Sequence, residues 1–331
     1  MPPLLLITAL IIVALIFDFL NGFNDSGNIV ATIISSRAMR PRSALTLSAV
    51  AHFCGPFLFG VAVATTVGHE IIAGQAVTVS VILAALSSAI VWNIFTWLLG
   101  IPSSSSHALV GGMVGAAVVD HGFGAIIING LLKVLLVLFL SPLLGLMIGY
   151  LTMKLVLFLA RGASPRVNLL FKRAQMVTSL ALALSHGSND SQKAMGIITM
   201  GLVATGYLSA FAVPVWVVIL CAGVISLGAM FGGWRIIRTL GGKFYKIRPV
   251  HGFATQITSA AVVLGAALLG GPVSTTQVVS SSIMGVGAAE RLSKVRWQVA
   301  RDIAAAWVLT IPATALMAAL FHMAIVRLRF I

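Results

Sequence analysis

Charge is scarce in this sequence. Charged residues make up 8% of its 331 positions, and only 7 of them are acidic. A soluble domain carries roughly 25%. With 59% hydrophobic residues, no water-facing surface of ordinary composition can be built, which excludes a soluble fold and leaves a bilayer as the solvent. Cysteine is nearly absent. Cys54 and Cys221 both fall in apolar runs, which excludes a disulfide framework or a cysteine metal site. No basic stretch precedes the first apolar run, and polar, helix-breaking residues follow it, so a cleavable signal is not expected.

The few charges are lopsided: 21 Lys and Arg against 7 Asp and Glu, a formal +14. On a soluble chain this excess would suggest nucleic acid. Here the basic residues cluster between apolar runs, the pattern of cytoplasmic loops, so no nucleic-acid partner is expected. The apolar runs fall at about 4–20, 28–36, 43–67, 77–99, 104–119 and 125–157. They recur at about 174–186, 193–204, 211–232, 252–269, 274–289 and 300–326. Roughly 20 residues span a bilayer. Several runs are that long. The shorter ones beside Gly and Asn suggest discontinuous helices, with the Asn-Asp segments read as breaks.

The chain repeats. Gly22-Phe-Asn24-Asp25-Ser26 returns as Gly187-Ser-Asn189-Asp190-Ser191, an offset of 165. Pro102 with Ser104, Ser105 and Ser106 returns as Pro272 with Ser274, Thr275 and Thr276, an offset of 170. Loop charges alternate between the copies. Arg37, Arg40 and Arg42 have no basic counterpart in 205–210. The 68–76 segment, which has no Lys or Arg, pairs with one holding Arg235, Arg238, Lys243, Lys246 and Arg248, and 120–124, which also has none, with Arg291, Lys294 and Arg296. Opposite basicity in equivalent loops places the two halves upside down relative to each other. The expected fold is therefore an all-α polytopic membrane protein of two inverted-topology repeats, 1–160 and 161–331. Each has about five crossings, with broken helices and re-entrant turns at mid-membrane. The basic joining segment is cytoplasmic and both termini are external, with Arg327 and Arg329 a mild exception.

Ionisable groups at membrane depth are costly and mark function by default. Asp25 and Asp190, one per repeat, are the first candidates, and each suits Na⁺ or a proton. Asn24, Asn28 and Asn189 stand beside them. The hydroxyl turns Ser104-Ser105-Ser106 and Ser274-Thr275-Thr276 offer a neutral oxyanion cradle at helix starts. Lys193, one turn beyond Asp190, is placed to neutralise it. His107, Gln277, Asp18 and His52 are secondary candidates, His52, His107 and His186 as proton shuttles. Asp18 has no repeat partner, since Ala183 occupies its equivalent position. A Ser–His enzyme pair at Ser103–His107 fails because the second copy has Gln277 in place of His, so no enzymatic activity and no covalent cofactor are expected.

These stretches resemble the inorganic phosphate transporter (PiT) family. The residues that carry the likeness are Gly22–Thr32, Ser185–Gly196, the turns Pro102–His107 and Pro272–Thr276, and Gly232–Gly241. The resemblance implies a symporter in the cell (plasma or inner) membrane. It would take up phosphate with Na⁺ or H⁺ by alternating access, with a divalent metal possible as part of the cargo. It points to Asn24, Asp25, Asn28, Asn189, Asp190 and the six turn hydroxyls. In the expected arrangement phosphate lies between two cation sites, one on each repeat. Bacterial members often carry His where this chain has Asn24 and Gln277, and some members carry Glu near His52. These departures bear on the coupling ion. Sulfate is the alternative cargo within the family, an anion channel a more distant reading, and a homodimer a possible assembly.

Overall fold

The computed structural model describes residues 3–328, so Arg329 lies outside the described residues. Within them the chain is almost wholly helical and forms no named strand. Twelve α-helices follow one another: α1 (Pro3–Ser35), α2 (Pro41–Phe59), α3 (Ala62–His69), α4 (Val79–Leu99), α5 (Ser105–His121) and α6 (Ile128–Leu159), then α7 (Val167–Ala204), α8 (Val215–Phe231), α9 (Trp234–Arg238), α10 (Pro249–Leu268), α11 (Thr275–Glu290) and α12 (Trp297–Arg327). Each half holds the same series: a long helix, a bent pair, two helices joined by a hydroxyl turn, and a second long helix. Residue 160, the expected boundary between the halves, falls in the loop between α6 and α7. Five helices are long and apolar enough to cross a membrane, and up to seven if each bent pair counts as one span. Their outward faces are lined with exposed leucine, valine and phenylalanine. This is a multi-pass membrane protein.

The breaks do not fall where the sequence suggested. Asn24-Asp25 lies inside the 33-residue α1, and Asn189-Asp190 inside the 38-residue α7, both continuous. The chain bends instead between α2 and α3, by 82°, and between α8 and α9, by 57°. Both bends follow a glycine at positive φ, Gly60 and Gly232, where no side chain resists that conformation. Asn and Asp are weak helix formers, but burial on all sides overrides propensity. Each long helix supplies the polar group that satisfies the other half's bend. On α7, the Gln192 carboxamide accepts from the Val63 and Ala64 amides at 2.7 and 3.2 Å and donates to the Gly60 carbonyl at 2.6 Å. On α1, the Ser26 hydroxyl accepts from the Gly233 amide at 2.9 Å.

The helices on either side of each hydroxyl turn are the two legs of a hairpin. The chain entering α4 and the chain leaving α5 pair with each other, with the Ala73 amide on the Ala125 carbonyl at 2.9 Å and the Ile127 amide on the Ile71 carbonyl at 3.0 Å. At the base of the α10–α11 hairpin, Glu290 accepts from Arg248 and Lys294 and meets His251 Nε2 at 2.9 Å. The two turns lie level with the middles of the long helices. The Pro102 carbonyl accepts from Trp307 in mid-α12 at 3.0 Å, and the Gly271 carbonyl from Asn189 in mid-α7 at 3.1 Å. By length and composition the candidate crossings are α1, α4, α6, α10 and α12, with the bent pairs α2–α3 and α8–α9.

The halves interlock. The return leg α5 packs on α12, and α11 on α6. Small residues allow the approach: Gly115 faces the Ala315 backbone, and its repeat equivalent Gly285 faces the backbone of Leu146 and Tyr150. Replacing either with Val drives a branched side chain into main chain and should cost about 1–3 kcal/mol. Gly124, with open space around it, serves as control. Thermal unfolding in detergent should give lowered midpoints for Gly115→Val and Gly285→Val and an unchanged one for Gly124→Ala.

Candidate functional site

Helical spacing puts Asn21, Asn24, Asp25 and Asn28 on one face of α1, and His186, Asn189, Asp190 and Lys193 on one face of α7. The two faces meet. A carboxylate oxygen from each of Asp25 and Asp190 and a nitrogen of His186 all lie within 4.8 Å of one another. The sequence suggested separate sites with an anion between the carboxylates. That separation leaves no room for a tetrahedral oxyanion between these groups, so any anion seat lies to one side.

The turns close over this pair from both ends. Gly100 and Gly270, each at positive φ, end the first leg of each hairpin. Ser104 and Ser274 then cap α5 and α11, accepting from the amides of His107 at 3.1 Å and Gln277 at 3.4 Å. The other hydroxyls divide. Thr276 donates to Asp25 Oδ1 at 2.7 Å, Thr275 to Asp190 Oδ2 at 2.9 Å, Ser105 to Asn21 Oδ1 at 2.6 Å, and Ser106 to the Val273 carbonyl of the opposite turn at 2.8 Å. His107 lies 2.7 Å from the Ser104 hydroxyl and 3.4 Å from Gln277 Nε2, so this pair joins the two turns to each other.

The two carboxylates sit in different company. Asp190 is saturated: Lys193 donates to Oδ1, and His186 Nδ1 lies 2.9 Å from Oδ2, which also takes the Thr275 hydroxyl. His52 Nε2 stands 3.2 Å behind His186 Nδ1. Its own Nδ1 lies 2.7 Å from the Ser48 carbonyl, which accepts only, so the His52 proton is on Nδ1. Asp25 is half satisfied. Asn28 Nδ2 donates to Oδ1 at 2.7 Å, beside Thr276, while Oδ2 has no partner. The side-chain oxygens of Asn24 and Asn28 are buried and unpartnered as well. Asp18, on the same face of α1, is fully buried with neither oxygen bonded.

A narrow cleft of about 10 Å³, roughly the room one water molecule needs, opens from Asp25 toward α4, the first turn and α9. Of the residues singled out in the sequence, Asn24, Asp25, Ser105 and Thr276 line it, and Asn189, Asp190 and Thr275 do not. Three of the lining residues that were missed carry free donors: Asn21, Asn93 and Trp97. Each holds a buried N–H with no partner, at Asn21 Nδ2, Asn93 Nδ2 and Trp97 Nε1. Their signal was faint. Asn21 stands one turn before Asp25, and Asn93 and Trp97 are spaced i, i+4 within an apolar run. Arg235 lies at the rim, its guanidinium 5.1 Å from the Trp97 ring centre. Lys133, by contrast, is remote from the cleft and pairs with Glu70 at 2.8 Å.

Uncommitted donors here meet uncommitted acceptors at the centre of a membrane protein, groups of the kind that bind ions. Comparison with known proteins points the same way. The model of the phosphate transporter family matches twice, over residues 21–164 and 159–318. The chain belongs to that family. It is 47% identical to a probable low-affinity inorganic phosphate transporter of Rhizobium meliloti, over 96% of both chains. It is 43% identical to a protein of the same description from Bacillus subtilis, over 97% of this chain and 98% of that one. Among solved structures it resembles the sodium-dependent phosphate transporter, with TM-score 0.87 and 25% identity, over 97% of this chain and 98% of that one. The family is one of transporters, not enzymes.

The bonding of Ser105 makes its role testable. Ser105→Ala should cost about 0.5–1.5 kcal/mol of stability, the ordinary worth of one hydrogen bond. A thermal midpoint equal to wild type would show that the Asn21 contact carries no net stability.

Proposed function

We propose that this protein is a symporter that carries inorganic phosphate across the cell membrane with a monovalent cation, by alternating access. The observation that carries the reading is the content of the cleft. Free N–H groups of Asn21, Asn93 and Trp97, with the Ser103 hydroxyl beside them, suit the oxygens of phosphate. Unpartnered oxygens of Asp25 and Asn24 at the cleft wall, and of Asn28 one turn further along α1, suit a cation. Three unpartnered oxygens on one stretch of helix fit Na⁺, which takes several ligands, better than a proton, which needs one acceptor. The solved relative described as sodium-dependent supports the same ion. A divalent ion carried with phosphate has a ligand set in Asp25, His186 and Asp190, but must displace Lys193 and His186 from Asp190.

Coupling follows from charge. An oxyanion next to the bare Asp25 carboxylate meets repulsion in a medium that screens little. A cation on Asp25 removes it, so each ligand raises the affinity for the other by the same factor. Phosphate is favoured over sulfate by the Asn24 carbonyl oxygen at the cleft wall, whose second lone pair stays open beside a bound cation. Protonated phosphate donates a hydrogen bond there, and sulfate cannot.

The access states follow from the two hairpins. The repeat equivalents of Asn93 and Trp97 are Val263 and Ala267, so a polar cleft lines the first turn and an apolar wall the second. The cleft opens beside Arg235 and the basic segment that follows it. With basic loops cytoplasmic, this is the inward-facing form, and both termini are external. In a background lacking Cys54 and Cys221, Gln75→Cys and His121→Cys should react with an impermeant maleimide from outside the cell. Lys246→Cys and Ser293→Cys should react only from within. Any exchange between the two pairs overturns the assigned orientation.

Uptake of labelled phosphate into proteoliposomes tests the function. Na⁺ and pH gradients are imposed separately, with and without Mg²⁺ and with sulfate as competitor. We expect uptake driven by the Na⁺ gradient, insensitive to sulfate. Asp25→Asn should abolish the coupled component in protein that still inserts, and normal uptake by that variant would sink the scheme. Trp97→Phe removes one hydrogen bond to a charged ligand, worth about 1.5–3 kcal/mol, and should raise the KM for phosphate roughly 10- to 100-fold.

A further inference from the structure

The repeat aligns Asn24 with Asn189, Asp25 with Asp190 and Asn28 with Lys193 at a constant offset of 165. Two of these three pairs are identical, and the third replaces a neutral amide with an ammonium. In the first half this set is open. Asp25 Oδ2, Asn24 Oδ1 and Asn28 Oδ1 have no partner, and all three residues lie on one helical face. In the second half the same carboxylate is closed. Lys193 holds Asp190 Oδ1, and Thr275 and His186 hold Oδ2. Lys193 is 1% exposed and its ammonium makes no other hydrogen bond among the described residues.

An ammonium this deep needs compensation, and removing one partner of a buried pair normally leaves a costly lone charge. Asp190 is that compensation. The i, i+3 spacing sets the lysine one turn along α7, where it reaches the carboxylate without leaving the helix. Asn28 occupies the same place on α1, reaches the same carboxylate oxygen of Asp25, and leaves the charge uncancelled. We infer that Lys193 is a tethered counterion which permanently fills the cation seat of the second repeat. The carrier then loads its coupling cation at the Asn24-Asp25-Asn28 set, and the two ancestral seats have become one exchangeable and one built in. The inference rests on the reading of Asn24-Asp25-Asn28 as a cation seat.

Substituting the residue found at position 28 tests it. The full chain is reconstituted in liposomes, and the reversal potential of phosphate uptake gives the cations moved per phosphate. Na⁺ is titrated at fixed pH, and pH at fixed Na⁺. Lys193→Asn should raise the order in the coupling cation by one, with the half-saturating concentration increased several-fold. A second reading needs no transport: in detergent, the Na⁺-dependent rise in melting temperature should be larger for Lys193→Asn than for wild type. An unchanged order together with an unchanged melting response overturns the assignment. The double variant Asp190→Asn with Lys193→Asn removes both charges and should keep the wild-type order. A raised or lowered order in it also overturns the assignment, and this variant decides the matter if the single one does not fold. A wild type with no cation dependence would overturn the carrier reading itself. A wild type with such dependence but no gain in Lys193→Asn overturns only the role of Lys193.

Discussion

Two carboxylates stand face to face at the centre of this protein, within 4.8 Å, in a region that water barely reaches. Unscreened charges at that distance repel strongly, so the surroundings must supply positive charge or hydrogen-bond donors. Much of the architecture serves this need. Two long helices carry the carboxylates in register. Two hairpins end at mid-depth, bringing Thr275 and Thr276 to them. Lys193, His186 and Asn28 complete the inner ring. On the Asp25 side donors and acceptors are left unpaired with each other, and there the cleft opens.

Building that centre inside a bilayer restricts the backbone. Irregular main chain at membrane depth survives only where protein satisfies it. Gln192 and Ser26 satisfy the two helix bends, each from the opposite half, and Ser104 and Ser274 cap the two return legs. The swapped packing of α5 on α12 and α11 on α6 has the same consequence. Neither half completes its polar interior alone. The first turn is walled by Asn93 and Trp97, and the second by Val263 and Ala267. That difference in side chains, on a nearly repeated backbone, gives one open face and one sealed face.

The membrane setting, the repeat and the doubled polar motifs were all legible as sequence. The Asn-Asp segments misled. Their composition reads as a helix break, yet both run through continuous helices, because burial among other helices supplies what local propensity withholds. Asn21, Asn93 and Trp97 were missed, since single polar residues in apolar runs look like ordinary helix contacts until a cleft gathers them.

That this chain lives in a bilayer, is built twice over, and keeps its rare polar residues in two pairs of motifs is written in composition, periodicity and spacing. Which of these residues meet is a matter of packing. It put Asp25 against Asp190, gave Asp190 to Lys193 and His186, and left Asp25 with an oxygen to spare. The reason is physical. Each carboxylate is bonded in part by a hydroxyl far along the chain, Thr275 at 85 residues from Asp190 and Thr276 at 251 from Asp25, and only folding brings these within reach of a hydrogen bond.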